Sequence, residues 1–138
     1  MKNSFLITPL LTIIFSPFFF GQQIRPKALG SDRDAHGCIE SAGYTFSKIK
    51  NNCIRLFEEK IQLKEKESKK TYTSNATVIL SKDEKKVELF LPSLKESIIL
   101  NNTPNKNANI YKKGKYTLVK EVNGVYILKK SNKIIFQE

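Results

Sequence analysis

The chain has 138 residues, 40% of them hydrophobic, and its 24 Lys and Arg against 13 Asp and Glu give a formal net charge of +11. That length allows one domain with a modest core plus a targeting segment, and leaves little room for a second domain. A basic excess spread over the loops suits a solvated surface or an anionic partner, and one histidine with two cysteines is a thin stock for catalysis or metal binding.

Residues 1–21 place Lys2 ahead of an apolar run, 5–20, that Pro9 and Pro17 interrupt. This is the outline of a signal peptide. The run is shorter than the roughly 20 residues of a spanning helix, and its prolines break the helical hydrogen-bond ladder. The expectation is export to the periplasm or beyond, with cleavage after Gly21. Export sets the reading of Cys38 and Cys53, because in an oxidising compartment a lone pair is a disulfide before it is a thiol or a metal site. A bridge closing a loop of about 15 residues is worth roughly 3 kcal/mol.

Residues 22–35 contain Pro26, Gly30, Ser31 and the charged Asp32, Arg33 and Asp34, with no apolar period, and read as a flexible lead-in. In residues 36–63, a cysteine-bounded turn and helix, Phe46, Ile49, Cys53, Leu56 and Phe57 recur at three- and four-residue spacing. That spacing predicts one face of an α-helix running to about Lys60, capped by Thr45 or Ser47, with Ile54 off the stripe. Cys53 then lies on the buried side, and Cys38 folds back beneath it through turns at Gly37 and Gly43. Residues 64–71 are almost wholly charged and read as a linker.

Over residues 72–138 the period drops to two. Short runs rich in branched residues, at 77–80, 86–91, 97–100, 110–111, 115–121, 124–130 and 133–137, alternate with turn formers, and Val122, Asn123 and Gly124 make the clearest hairpin signal. Six or seven short strands joined by tight turns predict an antiparallel meander closed into a small β-barrel or sandwich. The fold class expected is therefore mainly β, preceded by one disulfide-pinned α-helix. Parallel pairing would need crossover connections for which there is no room.

Little in the chain suggests chemistry. Pairing of His36 with Cys38 needs a free thiol, and Asp32, Asp34 and His36 have metal-like spacing without fixed surroundings. No glycine-rich phosphate loop, zinc-protease helix or nucleophile elbow is present. We expect no enzyme, cofactor or metal. Tyr111, Tyr116 and Tyr126 lie among lysines as they would on a nucleic-acid stacking platform, but tyrosines on strands usually pack across strands, and an exported protein seldom meets nucleic acid.

The β-half resembles the bacterial inhibitors of c-type lysozyme, membrane-bound and periplasmic proteins that fold as small antiparallel barrels. The resemblance rests on Tyr72 and Thr73 before a strand, on KVELFLPS at 86–93, on the loop Asn107, Ala108, Asn109, Ile110, Tyr111, and on GKYTLVK at 114–120 followed by Val122, Asn123 and Gly124. It implies a loop that enters the lysozyme cleft. Asn107 stands at the position of the family's serine, Ala108 at its glycine and Tyr111 at its tyrosine, with Lys106 beside them and Lys120 nearest to a second contact lysine. The family's cross-barrel disulfide has no counterpart: Ser74 stands near its first cysteine, and no cysteine occurs near Phe136. The resemblance thus implies a c-type lysozyme as partner. Such lysozymes are themselves basic, so the net charge of this chain bears directly on that reading. The alternative expectation is a basic envelope-associated β-domain that binds an anionic polysaccharide or lipid surface.

Overall fold

The computed structural model describes residues 32–67, 74–103 and 109–138. Two units pack together: a disulfide-bridged hairpin and a closed barrel. The hairpin strands are β1 (Tyr44–Ser47) and β2 (Asn52–Arg55). The barrel strands are β3 (Ile61–Glu65), β4 (Asn75–Leu80), β5 (Lys86–Phe90), β6 (Ile98–Thr103), β7 (Asn109–Lys113), β8 (Tyr116–Lys120), β9 (Tyr126–Lys130) and β10 (Lys133–Gln137). Each barrel strand pairs antiparallel with the next, and β10 returns to β3 to close the circle.

Side-chain alternation explains the barrel. Leu63, Ala76, Val78, Val87, Leu89, Leu100, Leu118 and Leu128 point inward and are almost wholly shielded. Tyr111, Tyr116, Tyr126 and Phe136 complete that core. The tyrosines the sequence places among lysines are thus core residues. With eight strands the interior is just wide enough for side chains to fill.

The outer face of β4 and β5 is buried as well. Ile79 and Phe90 point away from the barrel interior and pack with Ile54, Ile49 and Leu56 of the hairpin unit. At full burial of one branched side chain, roughly 1.5–3 kcal/mol, this small cluster contributes to holding the hairpin on the barrel wall.

The helix expected over residues 45–60 is absent: among the described residues the only helical pieces are 3₁₀ turns at Glu40–Ala42 and Leu56–Glu58. In its place Tyr44 pairs with Arg55, Thr45 with Ile54, Phe46 with Cys53 and Ser47 with Asn52. The reversal falls at residues 48–51, where Asn51 takes a positive φ of 52°. Asparagine tolerates the left-handed region better than most residues, and a single such residue ends a helix. Burial shows which periodicity prevails. Ile54, off the helical stripe, is 7% exposed, and Phe57, on the stripe, is 71% exposed.

The Cys38–Cys53 disulfide forms as expected. Ahead of it the lead-in tightens into a turn: Asp34 Oδ1 accepts hydrogen bonds from the His36 and Cys38 amides, both at 2.8 Å. Asp32 accepts from the Ser41 amide and hydroxyl at 2.6 and 2.8 Å. The barrel starts at Ile61 rather than at Tyr72, and Leu63 is fully buried, so Lys64 and Glu65 belong to a strand and not to a linker. Residues 1–31, which include the expected signal peptide, lie outside the described residues, as do 68–73.

Replacing Cys38 and Cys53 together by serine should cost roughly 3 kcal/mol in chemical unfolding. Amide exchange of β1 and β2 should rise before that of β8 and β9. An unfolding midpoint identical with and without reductant would contradict this.

Candidate functional site

Successive strands alternate in direction, so the turns fall into two sets at opposite ends of the barrel. One end carries the 81–85 turn, the connection between β6 and β7, the 121–125 turn and the C-terminal Glu138. It holds the residues that the inhibitor resemblance singles out. The other end carries the 91–97 segment and the 114–115 and 131–132 turns.

At the first end, Lys106, Asn107 and Ala108 lie outside the described residues, between Thr103 and Asn109. Those two flanking residues sit on paired strands, with Thr103 opposite Ile110 and Asn102 opposite Tyr111. Tyr111 is fully buried. Its hydroxyl donates to the Glu84 carbonyl at 3.0 Å, and the Asn102 amide donates to the Lys85 carbonyl at 2.8 Å. Tyr111 therefore pins the 81–85 turn to the strand that follows the loop, and its ring offers no surface to a partner. Burial, and then the neighbouring Tyr126 and Glu84, push its phenol above the ordinary tyrosine value. Lys120 is half-buried, and the register places it directly opposite Asn109, at the exit of the 104–108 connection. Its ammonium lies 5.5 Å from the centroid of the Tyr126 ring, a cation–π contact.

Charge is divided between the two ends. At the loop end Lys82, Lys85, Lys86 and Lys120 are accompanied by Asp83, Glu84, Glu121 and Glu138. Asp83 is held below the usual carboxylate range by hydrogen bonds from the Ser81 hydroxyl at 2.6 Å and then the Lys85 amide at 3.1 Å. At the far end Lys112, Lys113, Lys115, Lys129, Lys130 and Lys133 gather, against Glu65, Glu67 and Glu96 among the described residues.

A groove of about 480 Å³ runs between the hairpin unit and the 91–96 turn, with Phe57, Leu94, Phe90 and Thr77 in its walls. His36 stacks on Phe46 with ring centroids 3.9 Å apart, and the thiol that a His36–Cys38 pair would need is in the disulfide. Among the described residues no three His, Cys, Asp or Glu side chains converge as metal ligands.

One buried polar centre escaped the sequence reading. Glu88, fully buried between β5 and the hairpin, accepts four hydrogen bonds: Ser47 Oγ and Ser97 Oγ at 2.6 Å, and the Lys48 and Ile49 amides at 3.0 Å. Its partners are neutral, and no ion pair among the described residues includes it. It is a fastener for the hairpin, since an unpaired carboxylate could not be buried there at an acceptable cost.

No protein-family model matches the chain, and neither a curated protein nor a solved structure does.

Proposed function

We propose that this is an exported, non-enzymatic binding protein of the lysozyme-inhibitor kind, which offers the loop end of its barrel to the active-site cleft of a c-type lysozyme. Three features support the reading. A closed antiparallel barrel is the architecture the resemblance implies. The Asn109–Lys120 register sets a lysine beside the connection that carries Lys106, Asn107 and Ala108. The third feature carries the proposal: the positive charge lies away from the loop end, where Asp83, Glu84, Glu121 and Glu138 offset the lysines. A basic lysozyme approaching that end meets a surface much less positive than the chain as a whole, so the net charge of +11 does not bar association. Once docked, Asn107 can donate through its amide, and Lys106 and Lys120 can place charge near the cleft carboxylates.

The refolded chain, mixed with c-type lysozyme at equal concentration, is expected to suppress cell-wall lysis. The Asn107→Ala and Lys120→Ala variants should each weaken that suppression about tenfold. Undiminished lysis by lysozyme with excess wild-type chain would sink the reading.

A further inference from the structure

The lysine-rich end of the barrel lies opposite the end used by the inhibitor reading, and it has a built geometry of its own. The Ser131 amide donates to the Lys115 carbonyl at 2.8 Å, which fastens the 131–132 turn to the 114–115 turn. Cross-strand register then sets Lys113, Tyr116, Lys130 and Lys133 in one row across four strands, on the side that Tyr116 turns to the barrel mouth, while Lys112, Thr117 and Lys129 form the next row on the outer wall. Lysines two strands apart are separated by about 10 Å. Of the six lysines only Lys133 is in an ion pair among the described residues, with Glu67 at 2.8 Å. Lys113 and Lys130 thus stand together at the barrel mouth, with Lys115 on the adjoining turn, and none of the three is in an ion pair among the described residues. Such crowding costs stability through self-repulsion, and a bound polyanion would relieve it.

A cleft of about 290 Å³ opens beside these lysines at the mouth of the barrel, with Lys130, Tyr116, Phe136, Pro92, Ser93 and Glu65 in its walls. It combines an apolar wall with hydroxyl and charged edges, the combination that suits a sugar ring with its apolar face and hydroxyl rim. Glu65 can accept from hydroxyls and repels acids, so an acidic substituent is directed to the Lys130 side.

We propose that this end is a binding site for a carboxylate-bearing polysaccharide, with one sugar in the cleft and the acids of its neighbours on the lysines that rim the mouth, Lys113, Lys115, Lys130 and Lys133. A lipid surface fits less well. Membrane-surface binding adds apolar anchors to lysines, and the large apolar side chains exposed among the described residues are Phe57 and Leu94, in the hairpin groove, and Val122, at the opposite end.

The test measures binding of the purified chain to polygalacturonate, to polyphosphate and to anionic phospholipid vesicles. Polygalacturonate should bind most tightly and release as salt rises. The Lys113→Ser/Lys130→Ser variant should lose at least about tenfold in affinity, and the loop-end control Lys82→Ser/Lys86→Ser should stay within about twofold. Equal losses in both variants would mean that net charge alone binds the polymer, and would overturn the site. Equal or tighter binding of polyphosphate, or preference for vesicles, would overturn the glycan assignment. Lys82, Lys86, Lys113 and Lys130 are exposed, so both variants should keep the wild-type unfolding midpoint, and a Lys112→Ser/Lys129→Ser pair, on the outer wall, should lose less affinity than Lys113→Ser/Lys130→Ser. Lysozyme suppression should be the same in wild type and in the Lys113→Ser/Lys130→Ser variant, which separates failure of this site from failure of the inhibitor reading.

Discussion

Replacing Glu88 with alanine is expected to lower unfolding stability by about 3–5 kcal/mol, the usual cost of deleting one side of a buried charge-assisted network. Alanine would leave the Ser47 and Ser97 hydroxyls and the Lys48 and Ile49 amides without their acceptor, on a surface the hairpin shields from water. Glutamine is the informative control. It keeps one acceptor oxygen but turns an NH₂ group toward a main-chain N–H, so the loss should be smaller, about 1–3 kcal/mol for one stranded donor. Because Glu88 joins the two units, hydrogen exchange should report the damage first at Lys48 and Ile49 and only later at Leu118 and Leu128. Uniform exchange across the chain, or an unchanged urea midpoint in Glu88→Ala, would show that the hairpin is held by its apolar contacts alone.

Tyr111 gives the second large effect. Truncation to alanine removes a fully buried ring from the barrel core and should cost about 3–5 kcal/mol. Phenylalanine keeps the ring and loses only the bond to the Glu84 carbonyl, about 1 kcal/mol. Lysozyme suppression should therefore survive Tyr111→Phe, and its loss in Tyr111→Ala would report a damaged barrel and not a lost contact. The pH dependence has a definite sign. A phenol raised in the folded state contributes stability that is whole below the ordinary tyrosine value and is lost as pH rises through the raised one. Part of the alkaline loss of stability should therefore vanish in Tyr111→Phe, and identical alkaline transitions in the two proteins would refute this.

Much of the barrel was legible because a half-buried strand writes its orientation into alternate residues. Tyr116, Leu118, Tyr126 and Leu128 point in, and Thr117, Lys129 and Lys130 sit between or beyond them. The turn at Asn123 and Gly124 was equally plain, and Gly124 takes the positive φ of 88° expected there. The hairpin unit was not legible, since Phe46, Ile49, Cys53 and Leu56 fit a helical period by chance, and what decides the structure lies in another part of the chain. Ile54 is buried by Ile79 and Phe90, and Ser47 is bound by Glu88, all of them on β4 or β5. A signal for this was available. Residues 78–80 and 89–91 are unbroken apolar runs rather than alternating ones, the mark of strands covered on both faces, and 76–79 and 87–91 are buried throughout. Such a covered pair needs a lid, and the 44–57 segment is the part of the chain that supplies it. Of the candidate site, Lys120 could be placed only once its partner strand was known. The periodicity put Tyr111 on a strand and the resemblance put it in the inhibitor loop, and the sequence does not tell a strand's first inward side chain from an exposed tip.

The seam between β10 and β3 sets the order in which the molecule can be completed. Its registered pairs are Phe136 with Glu65 and Gln137 with Lys64, supported by the Lys66 amide on the Ile135 carbonyl at 3.0 Å. These contacts join positions about as far apart in sequence as the barrel allows, and loop-closure entropy makes such pairings late events in folding. A chain emerging N-terminus first carries β3 and then β9 as open edges until residues 133–137 arrive, and open edges recruit neighbouring chains. Truncation before Lys133 should therefore turn a closed barrel into one that pairs edge to edge between molecules, and a bulky tag fused directly to Glu138 should slow the last step most.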